Sequence, residues 1–183
     1  MRIGGRIDGR VGEQVGLRAG RRVGLTTALG LLCLLGCSAS ACSTEPETCG
    51  PTRAEVSAVI DGDTIDLDTG QRVRYLMIDT PESTVETECG GPEAKQANAA
   101  LVAGQTVTLR YDLECEDRYG RLLAYVEVGG REVNKILLER GHACVLHISP
   151  NGDDVVEAYE ALEYEARQLD KGLWSHCDPS PCG

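Results

Sequence analysis

The sequence predicts a mainly β domain with helices, an α+β fold made of a closed five-stranded barrel and about three helices. Short β-rich stretches punctuated by turn residues run through 56–78 and again through 106–128. The helical patterns fall between those blocks and after them. Three strands, a helix, two strands and then helices is the order of the OB-fold, a small barrel that closes its own sheet edges. A chain of 183 residues has room for one such domain with a respectable core once its N-terminal stretch is set aside.

Each element has its own signal. Folding is expected to begin near Arg53, with strands at 56–60 and 64–68; in the second, Thr64, Asp66 and Asp68 alternate with Ile65 and Leu67. Asp68-Thr69-Gly70-Gln71 then closes a hairpin into a third strand at 72–78. Pro92 opens an alanine-rich helix over 92–103, and Gly104 stops it. Strands resume at 106–111 and 122–128, the latter ending at Gly129-Gly130. A short helix over 134–140 closes at Gly141, and 143–147 suits a further short strand. Asp153 or Asp154 is expected to cap a last helix in which Val155, Tyr159, Leu162, Ala166 and Leu169 form one apolar stripe. Gly172 ends it, and Trp174 is expected to pin it to the barrel.

The N-terminal stretch is of a different kind. Arg2, Arg6, Arg10, Arg18, Arg21 and Arg22 precede an uncharged, largely apolar run over 23–36, the order of an export signal and too short for an ordinary membrane span. Leu34-Leu35-Gly36-Cys37 resembles a lipobox, which would make lipidated Cys37 the mature N-terminus and attach the protein to a membrane of the cell envelope. Ala39-Ser40-Ala41 offers the rival outcome, soluble secretion after cleavage behind Ala41, and Arg21-Arg22 is a weak twin-arginine match. The expected organisation is a signal peptide over 1–36, a tether over 37–52, a folded domain over 53–177 and a tail over 178–183.

Loss of 1–36 leaves 12 basic against 27 acidic residues, a net charge of −15. That excludes broad non-specific nucleic-acid affinity, which needs Lys and Arg to neutralise phosphates. Any polyanion must be met by a local positive site, and Arg72, Arg74, Arg118 and Arg121 are grouped where one would lie. Seven cysteines follow Cys37, none in CxxC spacing, so export makes disulfides the expected state; spacing alone leaves their pairing open.

Three short stretches carry chemistry together: Ile60-Asp61-Gly62-Asp63-Thr64, Asp79-Thr80-Pro81-Glu82 and Asp117-Arg118-Tyr119-Gly120-Arg121. Alone, Asp61-Gly62-Asp63 reads as a turn. However, Asp63 shares strand parity with Ile65 and Leu67, the apolar side, where a carboxylate needs a cation. Arg74 shares parity with Leu76 and Ile78, so a buried Asp63–Arg74 pair is one answer, and Asp79 is then left without a counter-charge. A divalent ion is the other answer. Asp61, Asp63 and Asp79 offer oxygen alone, which suits calcium with its about 6–8 oxygen ligands better than zinc. His142, His147 and His176 are not spaced as a ligand set and are expected to be structural. Glu82 is placed to accept a proton from water beside a metal-bound phosphate. Arg74 and Arg121 match phosphate geometry with forked guanidinium donors, Gly120 allows the bend that aims Arg121, and Tyr119 can bond a phosphate oxygen.

These motifs, with Gly91-Pro92-Glu93-Ala94 and Gly172-Leu173-Trp174, closely resemble the staphylococcal nuclease (thermonuclease) family over roughly 53–175. The resemblance implies a monomeric, calcium-dependent endonuclease on an OB barrel that cuts single-stranded or frayed DNA and RNA to leave 3′-phosphates. It implies that Asp63, Asp79 and the Thr80 carbonyl hold calcium with Asp61 nearby. Glu82 would be the general base, Arg74 and Arg121 would stabilise the transition state, and Arg118 and Tyr119 would contact phosphate. Two tyrosines that pack on the nucleotide in the family are matched here by His147 and Ser149, which predicts weaker base stacking. The family alignment also suggests Cys89–Cys115 and Cys144–Cys177 disulfides. The competing readings are a non-catalytic OB-fold module that binds nucleic acid or calcium, and a disulfide-stapled structural lipoprotein.

Overall fold

The computed structural model describes residues 49–84 and 86–182. The expected leader over 1–36, the lipidation at Cys37, the cleavage behind Ala41 and the thiol of Cys42 lie outside the described residues. The first half of the domain comprises β1 (Arg53–Asp61), β2 (Thr64–Leu67), β3 (Arg72–Tyr75), β4 (Ile78–Asp79) and α1 (Gly91–Val102). The second comprises β5 (Thr106–Arg110), β6 (Leu122–Val128), β7 (Arg131–Glu132), α2 (Val133–Glu139), β8 (Cys144–Val145), α3 (Val156–Gln168) and a 3₁₀ turn, Gly172–Ser175.

β1 gives the barrel its shape because it serves two partners. Its first residues pair with β5 (Arg53↔Thr108 to Glu55↔Thr106), and the rest pairs with β2 through two bulges, between Val56 and Ala58 and between Val59 and Asp61. Such bulges bend a strand and sharpen its twist, which lets one strand turn the corner between two sheets. The order β3-β2-β1-β5-β6 closes when β3 pairs with β6 in parallel, Val73↔Leu122, Arg74↔Leu123 and Tyr75↔Ala124. The expected five-stranded OB barrel with three helices is therefore present. Ile65, Leu67, Val73, Tyr75, Val107, Leu109, Ala124 and Val126 fill it.

Several boundaries differ from expectation. The third strand, expected over 72–78, breaks at Leu76-Met77, where Met77 has φ 67°. Tyr75 to Ile78 are all buried, so the alternation that set Arg74 beside Leu76 and Ile78 does not continue through the break. The last two residues instead form β4, which pairs with β8 (Ile78↔Val145, Asp79↔Cys144). Asn134 holds the break: its amide donates to the Leu76 carbonyl at 2.9 Å while its oxygen accepts from the Val126 amide at 2.9 Å. Neither Asp153 nor Asp154 caps α3, whose N-cap is Val155. Asp153 is taken by His147 (2.8 Å) and Ser149 (3.1 Å). Tyr159 and Ala166 are the buried part of its stripe; Leu169 lies past the helix end and is exposed. Trp174 stacks under the Arg167 guanidinium of α3 at 4.2 Å, while neighbouring Leu173 supplies the fully buried contact.

The disulfides are Cys49–Cys115, Cys89–Cys177 and Cys144–Cys182, with Cα–Cα distances of 5.0, 5.7 and 5.7 Å. All are within bonding range. Cys89, Cys115, Cys144 and Cys177 are thus all bridged, but the expected Cys89–Cys115 and Cys144–Cys177 pairings are wrong. The N-terminal segment is docked by hydrogen bonds: Tyr111 donates to the Pro51 carbonyl and the Leu109 amide to that of Thr52, which brings Cys49 to Cys115. Cys89 is committed elsewhere because Gly90 sits against Leu173 and the Cys177 sulfur. Residues 49–52 and 178–182, expected as tether and tail, are accordingly fastened to the barrel. Among the described residues no helix is long and apolar enough to cross a membrane.

Candidate active site

The β1–β2 turn, the end of β4, the loop after it and the 111–121 loop meet at one end of the barrel. Gly62 lets the turn approach closely, since a Cβ there would lie 2.6 Å from the Thr80 hydroxyl oxygen. That approach lets the buried Asp63 carboxylate accept from the Thr80 amide (2.9 Å) and hydroxyl (3.0 Å), with the Thr64 hydroxyl on its other oxygen (2.9 Å). Arg74 completes the set, its Nη1 lying 3.2 Å from Asp63 Oδ2. The same guanidinium donates to the carbonyls of Tyr75 (3.0 Å) and Ile78 (2.7 Å) and, through Nη2, to Asp79 Oδ1 at 2.5 Å. The Arg74 side chain is only 12 % exposed. The ion pair, one of the two answers foreseen for Asp63, is present, and the same guanidinium also reaches Asp79, so that aspartate is not left without a counter-charge.

Asp61, also buried, accepts from the Gly62 amide (3.0 Å) and the Ser83 hydroxyl (2.8 Å). Its carbonyl receives the Asn98 amide at 3.0 Å, and Asn98 in turn accepts from the Tyr75 hydroxyl at 2.9 Å. Asn98 lies on the buried stripe Ala94-Asn98-Val102 of α1, so that helix positions the acidic turn. Glu82 is exposed on the following loop, where Glu88 brackets it: the Glu82 amide donates to the Glu88 carboxylate (2.9 Å) and the Glu88 amide to the Glu82 carbonyl (2.9 Å). α1 presses on the same carbonyl, from which a Cβ at Gly91 would be 2.2 Å. Ser83, Glu88 and Asn98 were not read from sequence. The one signal available was a polar residue at helical spacing within an otherwise small and apolar stripe.

The acids strain against one another. Glu82 is held above the ordinary glutamate range, first by burial and then by Asp61, Asp63 and Asp79. Asp79 is also raised; burial is the first cause, Arg74 opposes it, and Asp63 and Glu88 add to it. Its side chain remains 57 % exposed, which limits the shift. Four carboxylates facing essentially one guanidinium is a donor set short of positive charge and entirely oxygen, and it fits a hard divalent cation. The three aspartates are not gathered on a single point. Among the described residues the groups close enough for that are Cys89, His176 and Cys177, and Cys144, Glu163 and Cys182, where the cysteine pairs are disulfides.

Across the cleft, Asp117 organises the third motif. Its carboxylate accepts Arg121 Nε at 2.7 Å, lies 2.6 Å from Arg121 Nη2, and also takes the backbone amides of Tyr119 (2.9 Å) and Arg121 (3.1 Å). Burial pushes this carboxyl up, yet the Arg121 and Tyr119 donors outweigh it and hold the group below the usual range. Gly120 has φ 75°, the bend expected before Arg121. Arg118 lies over the Tyr119 ring at 4.7 Å and donates to its hydroxyl at 2.6 Å. A cleft of about 510 Å³ runs past Arg74, Asp117, Tyr119 and Arg121, with Met77, Leu123, Leu146 and Ile148 as its apolar wall. His147 and Ser149, expected to stand where the family has its tyrosines, do not line the cleft. Those two side chains bond Asp153, and the alternation of the chain presents Leu146 and Ile148 to the cleft.

A closed OB barrel carrying clustered carboxylates and forked arginines at the mouth of a cleft is the architecture of a phosphodiester-binding domain. The chain belongs to the staphylococcal nuclease homologue family, whose model matches residues 72–176. It is 36 % identical over 128 residues to the thermonuclease of Staphylococcus hyicus, covering 67 % of this chain and 75 % of that protein. An uncharacterized endonuclease of Escherichia coli is 37 % identical over 140 residues, 74 % of this chain and 86 % of the relative. Endonuclease YncB of Bacillus subtilis is 37 % identical over 123 residues, 63 % of this chain and 58 % of its own length. The chain spans 42 % of a second B. subtilis endonuclease, YokF.

Proposed function

We propose that the protein hydrolyses phosphodiester bonds of single-stranded or frayed DNA and RNA, with calcium, to leave 3′-phosphates. The observation that carries this is that Arg74, which bridges Asp63 and Asp79 beside the crowded Asp61 and Glu82, lines one cleft together with Arg121. Asp63, Asp79 and the Thr80 carbonyl would hold the cation, with Asp61 close by. Calcium there supplies a Lewis acid toward a phosphoryl oxygen. Glu82, with its raised proton affinity, takes the proton of the attacking water. Arg74 and Arg121 neutralise charge gathering on the equatorial phosphate oxygens. The water oxygen bonds to phosphorus, the bond to the 5′-oxygen breaks, and that oxygen leaves with a proton from solvent. Arg118 and Tyr119 contact phosphate, and the aliphatic wall of Leu123, Leu146 and Ile148 takes the base with less stacking than aromatic rings provide.

The deciding experiment is digestion of single-stranded DNA by the purified protein with calcium, with magnesium and with a chelator, followed by end-group analysis. Cleavage confined to the calcium arm with 3′-phosphate ends is expected. Calcium binding or DNA binding without any cleavage would favour the non-catalytic module instead. We also propose export with lipid attachment at Cys37 and a monomeric state; three disulfides suit an oxidising compartment. Radiolabelled palmitate entering the protein but not its Cys37→Ala variant would support attachment, and label in neither would refute it.

A further inference from the structure

A second groove, of about 500 Å³, lies on the other side of the Tyr119-Gly120-Arg121 ridge. Ser57, Asp66 and Arg72 of the barrel form its outer wall, and Tyr119 and Arg121 are common to it and to the cleft. The two grooves therefore meet at the ridge, with Tyr119 and Arg121 facing both. Arg72 and Arg74 are successive residues on one side of β3, opposite buried Val73 and Tyr75. Their backbones stand about 6.6 Å apart by strand geometry. The strand thus presents one guanidinium to the reaction centre and the next to the groove.

We propose that this groove is a further substrate subsite, which takes the sugar-phosphate backbone of single-stranded polynucleotide beyond the scissile linkage with Arg72 as its phosphate contact. The inference rests on the nuclease reading. Asp66 holds the Arg72 fork through Nε (2.6 Å) and Nη2 (2.9 Å). A guanidinium has five donors, so Nη1 and the second Nη2 hydrogen remain for a phosphate, already oriented by the carboxylate. The Arg72 side chain is 48 % exposed and needs no rearrangement to be reached. Tyr119, 68 % exposed on the ridge with the Arg118 and Arg121 guanidinium groups 4.7 and 5.5 Å from its ring centre, marks where the two grooves meet. Charge placement agrees. In a chain of net charge −11, Arg72, Arg74, Arg118 and Arg121 balance Asp66, Glu114, Glu116 and Asp117 along these two grooves, so their walls are close to neutral where the body as a whole repels a polyanion.

The bland alternative is a solvated surface ion pair with no role. Calcium-dependent cleavage of single-stranded oligodeoxynucleotides of increasing length separates the two. kcat/KM should rise at least severalfold when the strand becomes long enough to enter the groove, and Arg72→Gln should lose that rise, with Arg72→Lys intermediate. The slope of log affinity against log salt for a long oligonucleotide, read by fluorescence anisotropy in chelator so that nothing is cut, should fall by about 0.7 in Arg72→Gln. Arg131→Gln, an equal charge loss on β7, should change neither. Equal length dependence and equal salt slope in Arg72→Gln and the parent overturn the subsite. Absence of cleavage by the parent overturns the nuclease reading instead, and the anisotropy arm still decides the groove.

Discussion

Asp63 already spends its carboxylate on Thr64, Thr80 and Arg74, so its removal does two kinds of damage. Asp63→Ala should abolish calcium binding and also cost about 1–3 kcal/mol of stability in urea titration, because the buried Thr64 and Thr80 donors lose their acceptor and Arg74 keeps only Asp79 as an ionic partner. Glu82→Gln should stay within about 0.5 kcal/mol of the parent, the side chain being exposed, while cleavage collapses. The raised Glu82 carboxyl also sets a pH dependence. A carboxyl whose folded pKa exceeds its unfolded value favours the folded state at low pH, and that contribution is lost as pH rises from the unfolded through the folded pKa. A calcium ion held as proposed would relieve the same repulsion, so the rise in Tm on adding calcium should grow with pH across the mildly acidic range, and a calorimetric series in pH would measure it. Asp117 acts in the opposite sense: its carboxyl is depressed, so its stabilisation is lost only as pH falls below the ordinary carboxylate range. Asp61, Asp63, Asp79, Arg74 and Arg121 were legible because each stands in a short motif of unusual residue types. Asn98 and Ser83 were not, because their partners lie 37 and 22 residues away and nothing local marks them.

At the scale of elements, the described residues in the loop between Thr80 and Cys89, Glu82 among them, belong to no helix or strand, so their geometry depends on their fastenings. Thr80 ties one end to Asp63, Glu82 and Glu88 bond each other across it, and the Cys89–Cys177 bridge closes the other end. Replacing both of those cysteines with serine should lower kcat about tenfold, since small misplacements of a catalytic group are costly. Stability should fall by about 2–4 kcal/mol. Stopped-flow cleavage at a temperature where circular dichroism shows the variant folded would separate the two effects. The strand and helix order was legible from alternation and from the Gly and Pro punctuation. The break at Met77 was not, because four consecutive buried residues look like an uninterrupted strand until β8 and Asn134 claim its second half. Disulfide partners escaped for a related reason: they are settled by which segments dock, and the Cys49 segment docks through the Tyr111 hydroxyl and the Leu109 amide, contacts that no spacing reveals.

For the whole molecule, a net charge of −11 sets long-range repulsion against a local arginine path. Screening weakens the first over a Debye length of about 10 Å at 0.1 M salt, whereas phosphate contacts weaken progressively through counterion release. Activity on long single strands should therefore pass through a maximum with ionic strength instead of falling throughout; steady-state kcat/KM from low to high salt at fixed calcium would reveal it, and a monotonic fall would refute it.

The parallel closure of the barrel has a consequence for how such a site can change. Because Val73 is the rung partner of Leu122, Arg74 and Arg121 are spaced by a ladder of backbone hydrogen bonds and not by the intervening chain. The two arginines behave as one part. A change of length at Leu113, the exposed tip between the anchored Asp112 and Glu114, would therefore leave the separation of the pair untouched.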